Sequence, residues 1–100
     1  MATSAIELEN QEFERWEDPG HSWLKVPITH VRQLGCKISG YSYFDGRDLY
    51  LEEDLDMTTF VEAWMKFTGK KWQDFHQNRV FRSARNMPYE IPDDILWVRA

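Results

Sequence analysis

The sequence predicts an α+β domain: a small antiparallel sheet built from two hairpins, with two helices packed on one face. Three observations carry that reading. Asp45-Gly46 sits between the alternating runs 41–44 and 47–52, and Asp-Gly in such a setting is a strong hairpin signal because a tight turn needs positive φ. Asp18-Pro19-Gly20-His21 separates residues 13–17 from 22–26 in a similar way, with Pro19 presetting φ and Gly20 supplying the permissive position. Two stretches with helical apolar spacing, 28–34 and 57–68, each run into a glycine, Gly35 and Gly69.

Residues 1–12 are polar and acidic, with only Ile6 and Leu8 as sizeable apolar groups. They are expected to fray or to form a short helix, and a single ordered domain is expected over residues 13–100. After the first hairpin, Pro27 suits a first helical position, and Ile28, Val31 and Leu34 share one stripe. In the second hairpin, a two-residue turn would set Phe44 opposite Arg47, Tyr43 opposite Asp48 and Tyr41 opposite Tyr50. One face then carries Phe44, Leu49 and Leu51, extended by Ile38; the other carries Tyr41, Tyr43 and Tyr50 beside Asp48 and Glu52. A longer turn would change this register and swap faces on one strand. Asp56 is the expected N-cap of the main helix, whose broad apolar face holds Phe60, Val61, Trp64, Met65 and Phe67. Residues 70–76 fit strand or helix, and residues 78–85 lack a decisive period. Ile95, Leu96, Trp97 and Val98 form a short apolar run, expected to dock as a closing strand because its exposure would invite association.

A chain of 100 residues buries only roughly 60 to 70% of its unfolded surface, so the core depends on large side chains. Five Trp, six Phe and four Tyr supply them and argue for a packed domain. Cys36 is the lone cysteine, which excludes an intramolecular disulfide, and no apolar run reaches the ~20 residues that cross a bilayer. The reading is of a protein of a reducing compartment, with no secretory signal and no membrane partner. The net charge of −5 is unevenly laid out: residues 1–62 hold thirteen acids against five bases, and residues 66–85 hold six bases against one acid.

Three constellations suggest function. Glu52, Glu53 and Asp54, with Tyr41, Tyr43, Asp48 and Tyr50 beside them, form an acidic, tyrosine-bearing face suited to an Arg- or Lys-rich partner surface. The basic and aromatic segment Lys70, Lys71, Trp72, Arg79, Arg82 and Arg85 has the ingredients of a phosphate- or nucleotide-binding surface. The overall acidity argues against direct nucleic-acid binding, and internal pairing of these bases with the acidic half is the favoured account. The carboxylates 52–56 also invite a hard cation, but alternation turns Glu53 away from Glu52 and Asp54, so no metal ligand and no cofactor is assigned. His21, His30 and His76 do not stand at zinc spacings with Cys36, which is expected to be a buried, inert thiol. His21, in the Pro-Gly turn, is the histidine best placed to act at the surface.

The pieces Asp18-Pro-Gly-His-Ser-Trp-Leu-Lys-Val-Pro27, Ile38-Ser-Gly-Tyr-Ser-Tyr43, Tyr50-Leu-Glu-Glu-Asp-Leu-Asp56 and Asn78-Arg-Val-Phe-Arg-Ser83 resemble a family of short proteins carried by bacteriophages and other mobile elements. The resemblance spans residues 18 to about 83 and is one of phrase and order, with no catalytic signature. It implies a bacterial cytoplasmic setting and an accessory role. Together these readings favour a non-enzymatic protein that binds a host protein or complex through the acidic tyrosine face, as an inhibitor of a defence or nucleic-acid-handling complex. A small-ligand or nucleotide binder using residues 70–85 is the second reading, and a carboxylate-dependent metal nuclease the third.

Overall fold

Strands β1 (Glu12–Asp18) and β2 (His21–Pro27) form the centre of the sheet in the computed structural model, which describes residues 2–85 and 87–97. They pair antiparallel from Glu14 opposite Lys25 to Asp18 opposite His21, and the Asp18 carboxylate accepts the His21 amide at 3.1 Å. β3 (Tyr43–Phe44) and β4 (Asp48–Glu52) follow, with β4 antiparallel to β2. β5 (His76–Phe81) completes a five-stranded sheet in the order β3-β4-β2-β1-β5. The fold is α+β, but the sheet is mixed where an antiparallel one was expected, because β5 runs parallel to β1. The cause is the connection: after β4 the chain crosses the sheet in a helix and re-enters at the far edge, and a helical crossover of this kind delivers a parallel strand.

The second hairpin pairs Phe44 with Leu49 and Tyr43 with Tyr50, so the loop is two residues longer than a tight turn. Asp45 builds that loop, accepting the amides of Arg47 and Asp48 at 2.9 and 2.7 Å, while Gly46 takes a φ of +97° under the ring of Tyr89. A shift of two residues preserves parity, so no face is swapped. Phe44, Leu49 and Leu51 point into the main core with Ile38, and Tyr43 and Tyr50 point to the opposite side with Trp16 and Trp23.

Three helices line the core face: the two expected to pack there, and a third in the segment expected to fray or to form a short helix. Residues 5–10 form α1 (Ala5–Asn10), started by a reciprocal pair of hydrogen bonds between Ser4 and Glu7. A helix this short is marginal alone; Leu8 holds it down, fully buried, with its carbonyl accepting the Trp64 indole N–H at 3.0 Å. α2 (Ile28–Gln33) buries Ile28 and Val31, and α3 (Asp56–Thr68) buries Met57, Phe60, Val61 and Trp64 before Gly69 ends it in the left-handed region at φ +74°. Phe13 stacks on Phe75 at 5.2 Å and meets Phe60 edge-on at 5.6 Å, and Trp64 meets Phe75 edge-on at 5.0 Å.

The cap of α3 differs from expectation. Asp56 is fully buried and turns back to the loop before β3, accepting the Ser39 amide and the hydroxyls of Ser39 and Ser42 at 2.9, 2.7 and 2.6 Å. Glu52 does the capping instead, its carboxylate accepting the amides of Asp54, Leu55 and Asp56 at 2.9, 2.7 and 2.9 Å. Beyond Gly69, a single 3-10 turn over Trp72–Asp74 leads into β5. The C-terminal run docks, although on Ile38 and not on the sheet: the Ile38 amide donates to Ile95 O at 2.7 Å and the Trp97 amide to Ile38 O at 2.9 Å. Arg32 grips Asp94 with two nitrogens at 2.9 and 3.1 Å, fixing the same segment to α2, and Val98 lies outside the described residues. No helix among the described residues is long and apolar enough to cross a membrane.

Candidate functional site

The sheet face turned away from the helices is aromatic. Trp16 and Tyr50 sit 4.8 Å apart on it, and both are nearly closed to solvent. Lys25 and Arg82 approach the Trp16 ring at 5.6 and 5.5 Å, which adds cation-π attraction and covers the indole. Ala84, buried against this cluster, and the partly buried Met87 add to the cover. This part of the face is therefore interior.

At the end of the sheet where β2 begins and β4 ends, the cover stops and a groove of about 470 Å³ opens. Its floor is Trp23 and Tyr43, edge to face at 6.2 Å, with His21 stacked on Trp23 at 5.9 Å. Tyr41 stands at one side, 80% exposed, on the turn that follows Gly40. Glu52, Asp54 and Leu55, from the junction of β4 with α3, line the groove at the strand ends. Arg85 closes the opposite side, donating to Asp18 Oδ2 at 3.2 Å and to His21 Nδ1. Burial pushes the Asp18 carboxyl up, but the hydroxyl of Ser83, the Arg85 charge and the His21 amide outweigh it and hold the group below its ordinary range. Asp18 thus stays ionised and fixes the guanidinium.

The predicted acidic tyrosine face is divided by this geometry. Tyr41, Tyr43, Glu52 and Asp54 meet in the groove. Tyr50 does not join them: only 2% of it is exposed, and its hydroxyl donates to Asp45 Oδ2 at 2.7 Å. Asp48 faces Lys25 at 4.0 Å further along the sheet, and burial raises its carboxyl affinity for protons. Glu53 lies on the helix side, accepting from Ser22 Oγ at 3.0 Å and from Arg15 at 3.4 Å. Alternation turns Glu53 to the opposite face, whereas Asp48 and Tyr50 share the face of Glu52 and are separated from the groove by their positions along β4, opposite Pro27 and Lys25. His21, Trp23, Leu55 and Arg85 were not grouped with this face by the sequence. The register of Trp23 opposite Glu52 is what joins the start of β2 to it, and Arg85 follows through its bonds to Asp18 and His21.

The basic segment does not converge either. Lys70 pairs with Glu9 at 3.6 Å, Arg79 with Glu17 at 3.0 Å and Arg85 with Asp18, while Arg82 lies over Trp16. Lys71 donates its amide to Asp74, and Trp72 stacks parallel to Phe75 at 6.1 Å. Internal pairing with the acidic half accounts for most of this charge. Cys36 is buried, and burial pushes its thiol up to about 11, so it remains protonated at neutral pH. Among the described residues no three His, Cys, Asp or Glu side chains assemble as a metal site.

A second shallow groove, of about 500 Å³, is lined by Asp18, Pro19, Arg82 and Phe81, the last 83% exposed. Comparison with protein-family models, with curated proteins and with solved structures gives no match.

Proposed function

We propose that this chain is a non-enzymatic binding protein that docks on another macromolecule through the end of the sheet carrying Tyr41, Tyr43, Glu52 and Asp54. The observation that supports the reading is the groove itself: two tyrosines and a tryptophan meet carboxylates in an open concavity whose walls are held by hairpin and helix-cap hydrogen bonds. Tyrosine and tryptophan give a large contact area for few lost rotamers, and a rigid frame lowers the ordering cost of association.

The resemblance to short phage and mobile-element proteins makes a bacterial host protein or complex the expected partner. Inhibition of a defence or nucleic-acid-handling complex is the expected outcome. Capture from bacterial lysate by the wild-type chain and by Tyr41→Ser tests the surface, since Tyr41 is exposed enough to be replaced without disturbing the core. The wild type should retain a partner that Tyr41→Ser loses. Equal capture by both would place the interface elsewhere.

A further inference from the structure

We infer that the groove seats an arginine side chain from a basic segment of the partner, its guanidinium between Tyr41 and Tyr43 and against the Asp54 carboxylate. The inference rests on the proposed docking surface and names the chemistry of its occupant.

Charge complementarity carries it. Two carboxylates and one guanidinium line the groove, and they are not equally committed. Arg85 is held by Asp18 and by His21 Nδ1, so its charge is compensated inside the fold. Glu52 accepts three amides at the start of α3, which fix its carboxylate in place. Asp54 gives its amide to Glu52, and among the described residues no hydrogen bond or ion pair engages its carboxylate. The lining therefore presents net negative charge, with one carboxylate free to accept. Tyr41 is exposed and Tyr43 half-buried, and the face of an aromatic ring attracts a cation within about 6 Å of its centre.

A guanidinium satisfies both features at once. It is planar, stacks on tyrosine, and presents paired N–H donors that match a carboxylate. An ammonium matches the charge but neither the plane nor the fork, so lysine should bind more weakly. The net charge of −5 would also favour encounter with a basic partner.

The test is a two-dimensional amide NMR titration of the full chain at low salt with three short peptides that are identical except for arginine, lysine or citrulline at the central positions. The arginine peptide should shift the signals of Tyr41, Tyr43, Asp54 and Leu55 and the Trp23 indole saturably, lysine more weakly and citrulline least. Asp54→Asn should weaken the arginine peptide by about threefold to tenfold. The inference is overturned by any of three results: no saturable shift up to about 10 mM peptide, equal binding of citrulline, or an unchanged affinity in Asp54→Asn. A partner lost by Tyr41→Ser but retained by Asp54→Asn, and not displaced by the arginine peptide, would leave the docking surface standing and remove its cationic occupant. A partner retained by both variants would remove the docking surface as well.

Discussion

Tyr50 and Asp45 tie the two ends of the second hairpin's loop together: the phenol donates to Asp45 Oδ2 at 2.7 Å, and the same carboxylate's other oxygen accepts the amides of Arg47 and Asp48. A tyrosine expected to serve as contact surface is a structural strut under Trp16. Burial first, then the hydrogen bond to Asp45 and the charges of Asp45, Asp48 and Glu14, push its phenol well above the ordinary tyrosine range. A raised folded pKa means that the native state holds the proton more firmly than the unfolded chain does. This contribution is fully present below about pH 10 and is lost as pH rises beyond it. Tyr50→Phe should cost about 1 kcal/mol at neutral pH and flatten the alkaline limb of stability. Urea unfolding at neutral pH and above pH 10 reads both effects; parallel curves for wild type and variant would contradict them.

His30 gives the opposite dependence at the acid side. It is buried, its Nε2 bonds to Gln11 Oε1 at 2.9 Å, and its Nδ1 has no partner among the described residues. Burial lowers its proton affinity more than the nearby Asp48 charge raises it. The unfolded chain then binds the proton more readily, so stability falls as pH drops below the ordinary histidine value of 6.5. His30→Gln, which keeps an amide near Gln11, should shrink the loss of thermal midpoint between neutral pH and about pH 5.

Asp56 anchors the loop before β3 to the start of α3 through three donors. Replacing it with alanine leaves those donors buried without an acceptor and should cost about 3 kcal/mol. Ser39→Ala and Ser42→Ala should each cost less, and combining Ser39→Ala with Asp56→Ala should cost less than the sum. Strict additivity in denaturant unfolding would show that the hydrogen bonds of Ser39 to Asp56 contribute nothing to stability.

Glu52 both lines the groove and caps α3, so its replacement has two effects. Glu52→Ala should cost about 1 kcal/mol of stability through the lost cap and lower the thermal midpoint by several degrees, whereas Glu52→Gln keeps an acceptor and should cost less. Asp54 carries no such duty, which makes it the cleaner position for separating binding from folding.

Much of this architecture can be read from the residues, and the failures have physical causes. The apolar face of α3 is legible because Phe60, Val61 and Trp64 repeat at helical spacing, although Phe67, on the same predicted stripe, is 42% exposed in the last turn. Hairpin faces are legible because parity survives a loop longer by two. The partition of Glu52 and Asp56 is not, since both carboxylates stand near the same helix start and only the distant Ser39 and Ser42 decide which one turns inward. β5 carries no alternation because it is an edge strand with little buried on either face, so its sequence records neither its type nor its direction. α1 is legible only as an alternative to fraying, because a helix this short depends on Leu8 docking under Trp64.

The parallel pairing of β5 also orders the events of folding. The other pairings join segments nearer to one another in the chain, but Glu12 finds His76 only after nearly two-thirds of the chain has intervened. Bringing such remote segments together carries the largest loop-closure entropy in the sheet. During synthesis the outer edge of β1 therefore waits open, and the ribosome must release most of the polypeptide before that edge can be sealed.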